Sequence, residues 1–458
     1  MRRLLQVVTT WEWLLLLMLL PLLFFSTVAW ALCFLLVPFF WLIRKLATGR
    51  FFPASPYNIA MLFLGLSLFL SLFAVFDLRL SVPKIGGLFF GIALYFAAVE
   101  HCRQNKNGVW HVLAVAVAAG TAMAVFALPF ARWPAPAQFL NRAGSYLPQR
   151  FSTLPGTADG GINLNELAGV LTWIVPLLGA VTLGYRRQLW RSKRIAGKLV
   201  FLLLLIAFIF TFLVLLATGS RGGIASVMIA LLLMLAINFF WGRWLLVAGV
   251  VGVVALFFIF GQDQMLASPS DAAEQLGFQA RVQIWSRGLE ALEEFPLTGL
   301  SMNGFRVLVR SFYPLTLVSP TTDIGHAHNH LLQAGLDLGI PGMISYLAIW
   351  ILSAGLLWDG LRIESSAPVN YRPLLSGLAG SLAAAWLFGI VDAVALGARP
   401  GFIWWLLIAL LTAVYSAVYG TEAQADNGYE DLHNPLAENG HRVRVRFVDG
   451  VNSSAKIL

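Results

Sequence analysis

The chain has 458 residues, 59% of them hydrophobic and only 12% charged. A soluble globular domain carries about 25% charge, so this balance excludes an ordinary soluble fold and points to many membrane-spanning helices. The formal charge of +9 does not imply nucleic acid, because basic loops that set membrane orientation account for it. The two cysteines, Cys33 in an apolar run and Cys102 beside a basic loop, exclude a disulfide-stapled secreted fold.

The first segment, "MRRLLQVVTTWEWLLLLMLLPLLFF", has the charged start and apolar centre of a leader. The apolar stretch continues to Leu42, too long for a cleaved signal, and predicts a retained pair of helices broken near Phe25–Thr27. Further uncharged runs fall at about 57–76, 82–99, 108–130, 167–185, 199–217, 223–240, 244–261, 340–358, 374–391 and 402–420. Each is near the ~20 residues that cross a ~30 Å hydrocarbon core. All must be helical, since lipid offers the backbone no other partner. The expected fold is an all-α polytopic membrane protein of about twelve transmembrane helices. No internal repeat is visible, which weighs against transporters built from duplicated halves.

Lys and Arg orient the bundle. The linkers at 44–50, 101–107 and 186–198 hold three, two and six of them and share one side, expected to be cytoplasmic. The linkers at 131–166 and 262–339 then face outward, and 262–328 carries four basic against seven acidic residues. Residues 1–420 thus read as one membrane domain, with 262–339 its large extracytoplasmic loop and 421–458 a polar cytoplasmic tail. In that loop Val282, Trp285, Leu289 and Leu292 form a helical stripe, and the amphipathic helix is expected to lie on the outer membrane surface, over the bundle.

Charged and polar residues cluster at outer helix ends. In "ATGSRGG", residues 217–223, Arg221 sits where the positive-inside bias disfavours it, between glycines that allow close backbone approach and before a helix N-terminus. That suits an anion such as pyrophosphate, against the plainer reading of a snorkelling side chain. Arg281 opens the amphipathic helix and reads equally as an anion ligand or a solvated end charge. Arg142, Arg150 and Arg399 also fall on the outer side, and convergent guanidinium forks would hold a diphosphate bidentately. In "GHAHNHLLQAGLDLGIPG", His326, His328 and His330 crowd together before an apolar run, with Asn329 a candidate cap. Three readings stay open for them: a metal site, polar helix caps, or a general base.

Together these motifs resemble the superfamily of O-antigen ligases and Wzy-type polysaccharide polymerases. The resemblance rests on "GSRGG", "ARVQIW…G…FPLTG", "HAHNHLLQAGLDLGIPG" and "D…RPGFIWWLL". Its most specific element is a His-Asn pair, nine residues and Gly-x-x-Gly, matched by His328, Asn329, Gly339 and Gly342. It implies a GT-C-like, inverting glycosyltransferase with no metal or other cofactor. The donor would be a glycan on undecaprenyl pyrophosphate. The acceptor would be a sugar hydroxyl of lipid A-core or another glycan, at the periplasmic face of a bacterial inner membrane. Arg221 and Arg281 match the residues expected to hold the donor pyrophosphate, and His328 the base. Asn329 is assigned to orienting His328, with Arg150, Arg399 and His326 as further site candidates. Ligase is preferred over polymerase; a protein-directed glycan ligase and a polysaccharide exporter are the alternatives. An exporter would line the bundle interior with charge rather than its outer ends. Reporter fusions after Gln279 should read extracytoplasmic and fusions after Trp190 cytoplasmic; a cytoplasmic signal at Gln279 would invert the site and remove the enzyme reading.

Overall fold

The structure, a computed structural model, describes residues 2–25, 28–146, 161–260, 278–319, 322–363 and 369–430. Its helices are α1 (Arg2–Leu17), α2 (Leu20–Phe25), α3 (Cys33–Thr48), α4 (Asn58–Ser71), α5 (Leu78–Gln104), α6 (Gly108–Phe130), α7 (Leu164–Trp190), α8 (Ile195–Ala217), α9 (Arg221–Asn238), α10 (Phe240–Phe260), α11 (Phe278–Glu294), α12 (Gly304–Phe312), α13 (His330–Ile363), α14 (Arg372–Val391) and α15 (Phe402–Glu430). Among the described residues no strand forms. The protein is an all-α polytopic membrane protein, with ten helices long and apolar enough to cross a bilayer. About twelve were expected from the sequence. The other two expected runs form the shorter apolar segment Asn58–Ala74 and α10, an apolar helix of 21 residues. The predicted break in the N-terminal pair falls on residues 26 and 27, outside the described residues.

Enclosure sorts the helices. The apolar window of α7 is 89% buried, whereas that of α8 is 17% buried. The centre is therefore α7 with α5, α14 and α15, and α8 presents Leu203, Ile206 and Leu213 outward, where lipid lies. The N-terminal helices are joined to the bundle by charge as well as apolar contact. Glu12 on α1 accepts from Arg44 Nη2 on α3 at 2.6 Å, both side chains almost fully buried. Ionised groups inside apolar helices persist only when paired in this way.

The feature that positions the candidate site is a break inside α13. A straight helix of its 34 residues would run ~51 Å, well beyond a ~30 Å core. Gly339 interrupts it at φ 72°, ψ 177°, a conformation essentially confined to glycine. The segment before the break doubles back on the segment after it. The His330 ring lies 5.6 Å from that of Trp350, which a continuous helix would hold ~30 Å away. Two backbone bonds fix the turn, Leu300 N to Leu336 O and Ile340 N to Pro296 O, each 2.7 Å. His330–Leu338 is thus a re-entrant helix that carries the histidine loop back into the bundle.

The amphipathic helix forms as expected, and α11 packs against the re-entrant helix with part of the Val282, Trp285, Leu289 and Leu292 stripe turned inward. Ile284, Ala291 and Leu292 are buried, while Val282 and Leu289 are 44% and 53% exposed. Gly288 explains the choice of face: a Cβ there would sit 3.0 Å from Leu332, so the helices approach closely on that side. With Leu300, Phe305, Val309 and Leu336 this makes a small core of its own beside the main one. Adding a Cβ at Gly339 would bring it within 2.3 Å of the Leu297 carbonyl oxygen, and the φ/ψ alone costs ~1–3 kcal/mol. Gly339→Ala should therefore sharply reduce folded protein in detergent size-exclusion profiles. Gly355→Ala, with nothing within 4 Å of the added carbon, should elute as the parent does.

Candidate functional site

The ends of α7, α9 and α14 and the start of α11 meet at one cleft, lined by Arg221, Arg281, Asn165, Phe388, Val391 and Asp392 among others. Arg221 is the first residue of α9. Ser220 caps that helix, its hydroxyl accepting from Gly223 N at 3.4 Å. The neighbouring glycines serve helix packing, and Gly222 also lines the cleft. A Cβ at Gly222 would press on Val391 at 3.1 Å, and one at Gly223 on Ala168 at 3.0 Å. They let α9 close against α14 and α7, which carries Arg221 to the cleft. No ion pair engages Arg221 among the described residues. Arg281 is not a solvated end charge: it is buried, 4% exposed, on the same cleft.

The other half of the site is the histidine loop. Asn329 caps the re-entrant helix, its Oδ1 accepting from Leu331 N at 3.1 Å and Leu332 N at 3.0 Å, while its Nδ2 donates to Ile390 O at 3.2 Å. That last bond ties the loop to the end of α14, two residues before Asp392. Gln333 Oε1 accepts from Ala327 N, and Trp285 Nε1 donates to Ala327 O, so the loop is held from both sides. His328 adopts φ 50°, an uncommon conformation for a non-glycine residue. Its Nδ1 donates to Asp392 Oδ1 at 3.2 Å. The group in contact with the His328 ring is thus Asp392; Asn329 reaches the ring only indirectly, as cap and tether.

Hydrogen bonds fix the tautomers of this pair. A carboxylate only accepts, so His328 carries its proton on Nδ1 and leaves the Nε2 lone pair for other use. His326 Nδ1 accepts the His328 amide at 3.2 Å, which places its proton on Nε2, 3.6 Å from Asp392 Oδ1. Burial first, and then His328, push the His326 imidazole down to about 3. Burial alone would raise the Asp392 carboxyl, but His328, His326 and Arg281 together hold it well below the usual carboxylate range. Asp392 Oδ1 also accepts from Ala393 N at 2.8 Å. Ligand atoms of His326, His328 and Asp392 lie within 4.8 Å of one another, a spacing that could hold a transition metal. A metal on His326 would have to displace the Nε2 proton and break the bond to the His328 amide.

The remaining candidates lie elsewhere. Arg399 starts the turn before α15 and sits in the field of Glu166 rather than on the cleft. Arg142 is exposed, and Arg150 lies outside the described residues. His330 faces away from Asp392, its Nδ1 paired with the Tyr346 hydroxyl at 3.2 Å. Two groups were given no role in the sequence reading. Asp392, which opens the "D…RPGFIWWLL" motif, was the findable one, an acidic residue isolated between two uncharged runs. Lys84 on α5, which acts electrostatically on Asp337, Glu166 and His326, gave no local signal, because only the fold brings α5 to this end.

A search among curated proteins finds no match. A family model described as O-antigen ligase matches residues 206–347, a stretch that includes Arg221, Arg281 and His328 and ends before Asp392. This match, over less than half of the chain, supports the resemblance to the O-antigen ligase and Wzy polymerase superfamily.

Proposed function

We propose that the protein is a membrane glycosyltransferase of the O-antigen ligase type. It transfers a glycan from undecaprenyl pyrophosphate to a sugar hydroxyl of lipid A-core or a similar acceptor, at the periplasmic face of a bacterial inner membrane. The observation that carries this reading is the joining of two halves of one reaction. A cleft lined by Arg221 and Arg281 also contains Asp392, the carboxylate that orients His328.

The chemistry follows from those groups. The acceptor hydroxyl gives its proton to His328 Nε2 as its oxygen attacks the anomeric carbon. The bond from that carbon to the pyrophosphate oxygen breaks, with inversion, and the pyrophosphate leaves as an anion. Charge develops on the leaving group, so preorganised cations are what the step needs. Arg221 and Arg281 supply them, with the N-terminus of α9 adding its dipole. A leaving pyrophosphate needs no general acid, and the arginines stand in for a divalent cation. Asp392 stabilises the imidazolium and keeps its ring oriented, the role a carboxylate plays behind a histidine base. Residues 1–420 form the transferase in this reading, and 421–458 a tail outside it.

Transfer of a polyprenyl-linked glycan by purified variants tests the assignment. Loss of a positioned base costs ~10²–10⁴-fold, so His328→Ala should fall by at least ~10²-fold while donor binding persists. Asp392→Asn, isosteric but uncharged, should lie between His328→Ala and the parent. Arg221→Lys keeps the charge but loses the bidentate fork, so its loss should be severe, and Arg221→Ala should be worse. His326→Ala should retain measurable transfer, and chelator should leave the parent active. Normal rates in both His328→Ala and Arg221→Ala would overturn the proposal. In a deletion strain, lipopolysaccharide lacking every glycan cap is the ligase outcome, and single-repeat caps the polymerase one.

A further inference from the structure

A second buried carboxylate stands behind the histidine loop, and the reaction above does not use it. Asp337 lies in the last turn of the re-entrant helix and is 0% exposed, a costly place for a carboxylate unless donors answer it. Its Oδ1 accepts from Gln333 Nε2 at 2.9 Å and from Asn303 N at 3.3 Å. Its Oδ2 is buried with no hydrogen-bond partner among the described residues, and the charge that acts on the group is Lys84 of α5. Asn303 in turn donates from Nδ2 to Leu80 O, also on α5, at 3.2 Å. The end of the re-entrant helix is thus moored to α5, while Asn329 moors its start to α14.

Gln333 turns that mooring into a hold on the loop. It lies one turn before Asp337, 1% exposed, and its Oε1 accepts from Ala327 N at 2.8 Å. A backbone N–H only donates and a carboxylate only accepts, so a carboxamide turned one way satisfies both ends. Without the carboxylate at 337 the amide is free to turn over, which sets its Nε2 against the Ala327 N–H, donor to donor. Ala327 is held a second time by Trp285 Nε1, which donates to its carbonyl at 2.9 Å. The two bonds fix the peptide groups on either side of Ala327. The next residue is His328, at φ 50°, and a non-glycine residue keeps such a backbone only where its surroundings impose it. We propose that Asp337 and Gln333 are positioning residues for His328. Asp337 sets the sense of the Gln333 amide, the amide fixes Ala327, and Ala327 aims the imidazole so that Nδ1 meets Asp392. The base role of that imidazole rests on the transferase reading above; the orientation of its ring does not.

Imidazole nitrogen NMR on the full chain in detergent, with isotopically labelled histidine, reads the tautomer without any transfer assay. The His328 signals are those lost in His328→Ala, and in the parent they should show Nδ1 protonated and Nε2 bare. Gln333→Glu still accepts from Ala327 N but cannot donate to Asp337, so His328 should show mixed tautomers. Its kcat for glycan transfer should fall about tenfold, the worth of one buried hydrogen bond, with donor KM unchanged. Asp337→Asn keeps the shape but frees the amide sense, so its kcat should fall about threefold, with a smaller tautomer change. Gln333→Glu/Asp337→Asn reverses the polarity of the pair and keeps one charge, and should restore the parental tautomer and kcat. A merely structural role would lower the folded yield and leave the His328 tautomer of the folded fraction unchanged. Parental tautomer and kcat in the single variants, or a double variant worse than either, would overturn the proposal; Asp337→Asn decides alone if Gln333→Glu does not fold. A tautomer lost in the single variants and regained in the double, in a chain that transfers nothing, would keep the positioning role and remove the transferase reading instead.

Discussion

A carboxylate buried among helix ends must be answered by donors, and much of this site is arranged to answer Asp392. His328 Nδ1 and the Ala393 amide both donate to its Oδ1, while Arg281 adds favourable charge and the neutral His326 turns its Nε2 proton toward the same oxygen. For His328 to reach it, the chain must return from outside the bundle, and it does so through the re-entrant helix. That helix exists because Gly339 adopts a conformation closed to other residues. It stays in place because Asn329 caps it and holds the end of α14. Remove any one of these and the imidazole loses its orienting partner. The nine-residue spacing between Asn329 and Gly339 is therefore a length: the two and a half turns from the histidine loop to the point where the chain reverses.

The positive half of the site obeys a different constraint. Arg281 is buried and Arg221 stands at a helix start with no ion pair among the described residues. Both line the cleft beside Asp392. In the proposed reading a diphosphate would meet their guanidinium forks with two charges, and the helix dipole of α9 would favour the same anion.

How much of this was legible in the sequence depends on which physical signal each part leaves. Apolar length is written locally, so the membrane helices could be read from it, except that Asn58–Ala74 is shorter than its apolar run suggested. Asn329 as a helix cap follows from residue type and position, and the structure has it. For α11 periodicity gave the helix and part of its buried face: Trp285 and Leu292 turn to the small core, while Val282 and Leu289 stay exposed because Gly288 permits closer approach on the neighbouring side. The glycines of "GSRGG" were legible as close-approach residues but not in what they approach, which is Val391 and Ala168. Asp392 and Lys84 join the site only through tertiary placement. Their roles depend on α14 and α5 ending where the re-entrant helix arrives, and no local pattern records that.

The site lies between two cores rather than inside one. The main bundle supplies Arg221 and Asp392 from helix ends, while the small core of Ile284, Phe305 and Leu336 fixes α11 against the re-entrant helix. Arg281 and His328 come from that second body. Helix ends are where membrane proteins can tolerate polar groups, since water and unpaired backbone donors are both near. The proposed transfer between a lipid-anchored phosphate and a hydroxyl would use that setting: apolar walls for the lipid, fixed charge for the phosphate, and a route for a sugar. With His328 and Arg281 on one body and Arg221 and Asp392 on the other, joined by the Asp392–His328 bond, their spacing is sensitive to how the two cores dock. The backbone bonds Leu300–Leu336 and Ile340–Pro296, which set the re-entrant turn within the smaller body, then govern the geometry of the chemistry from a distance.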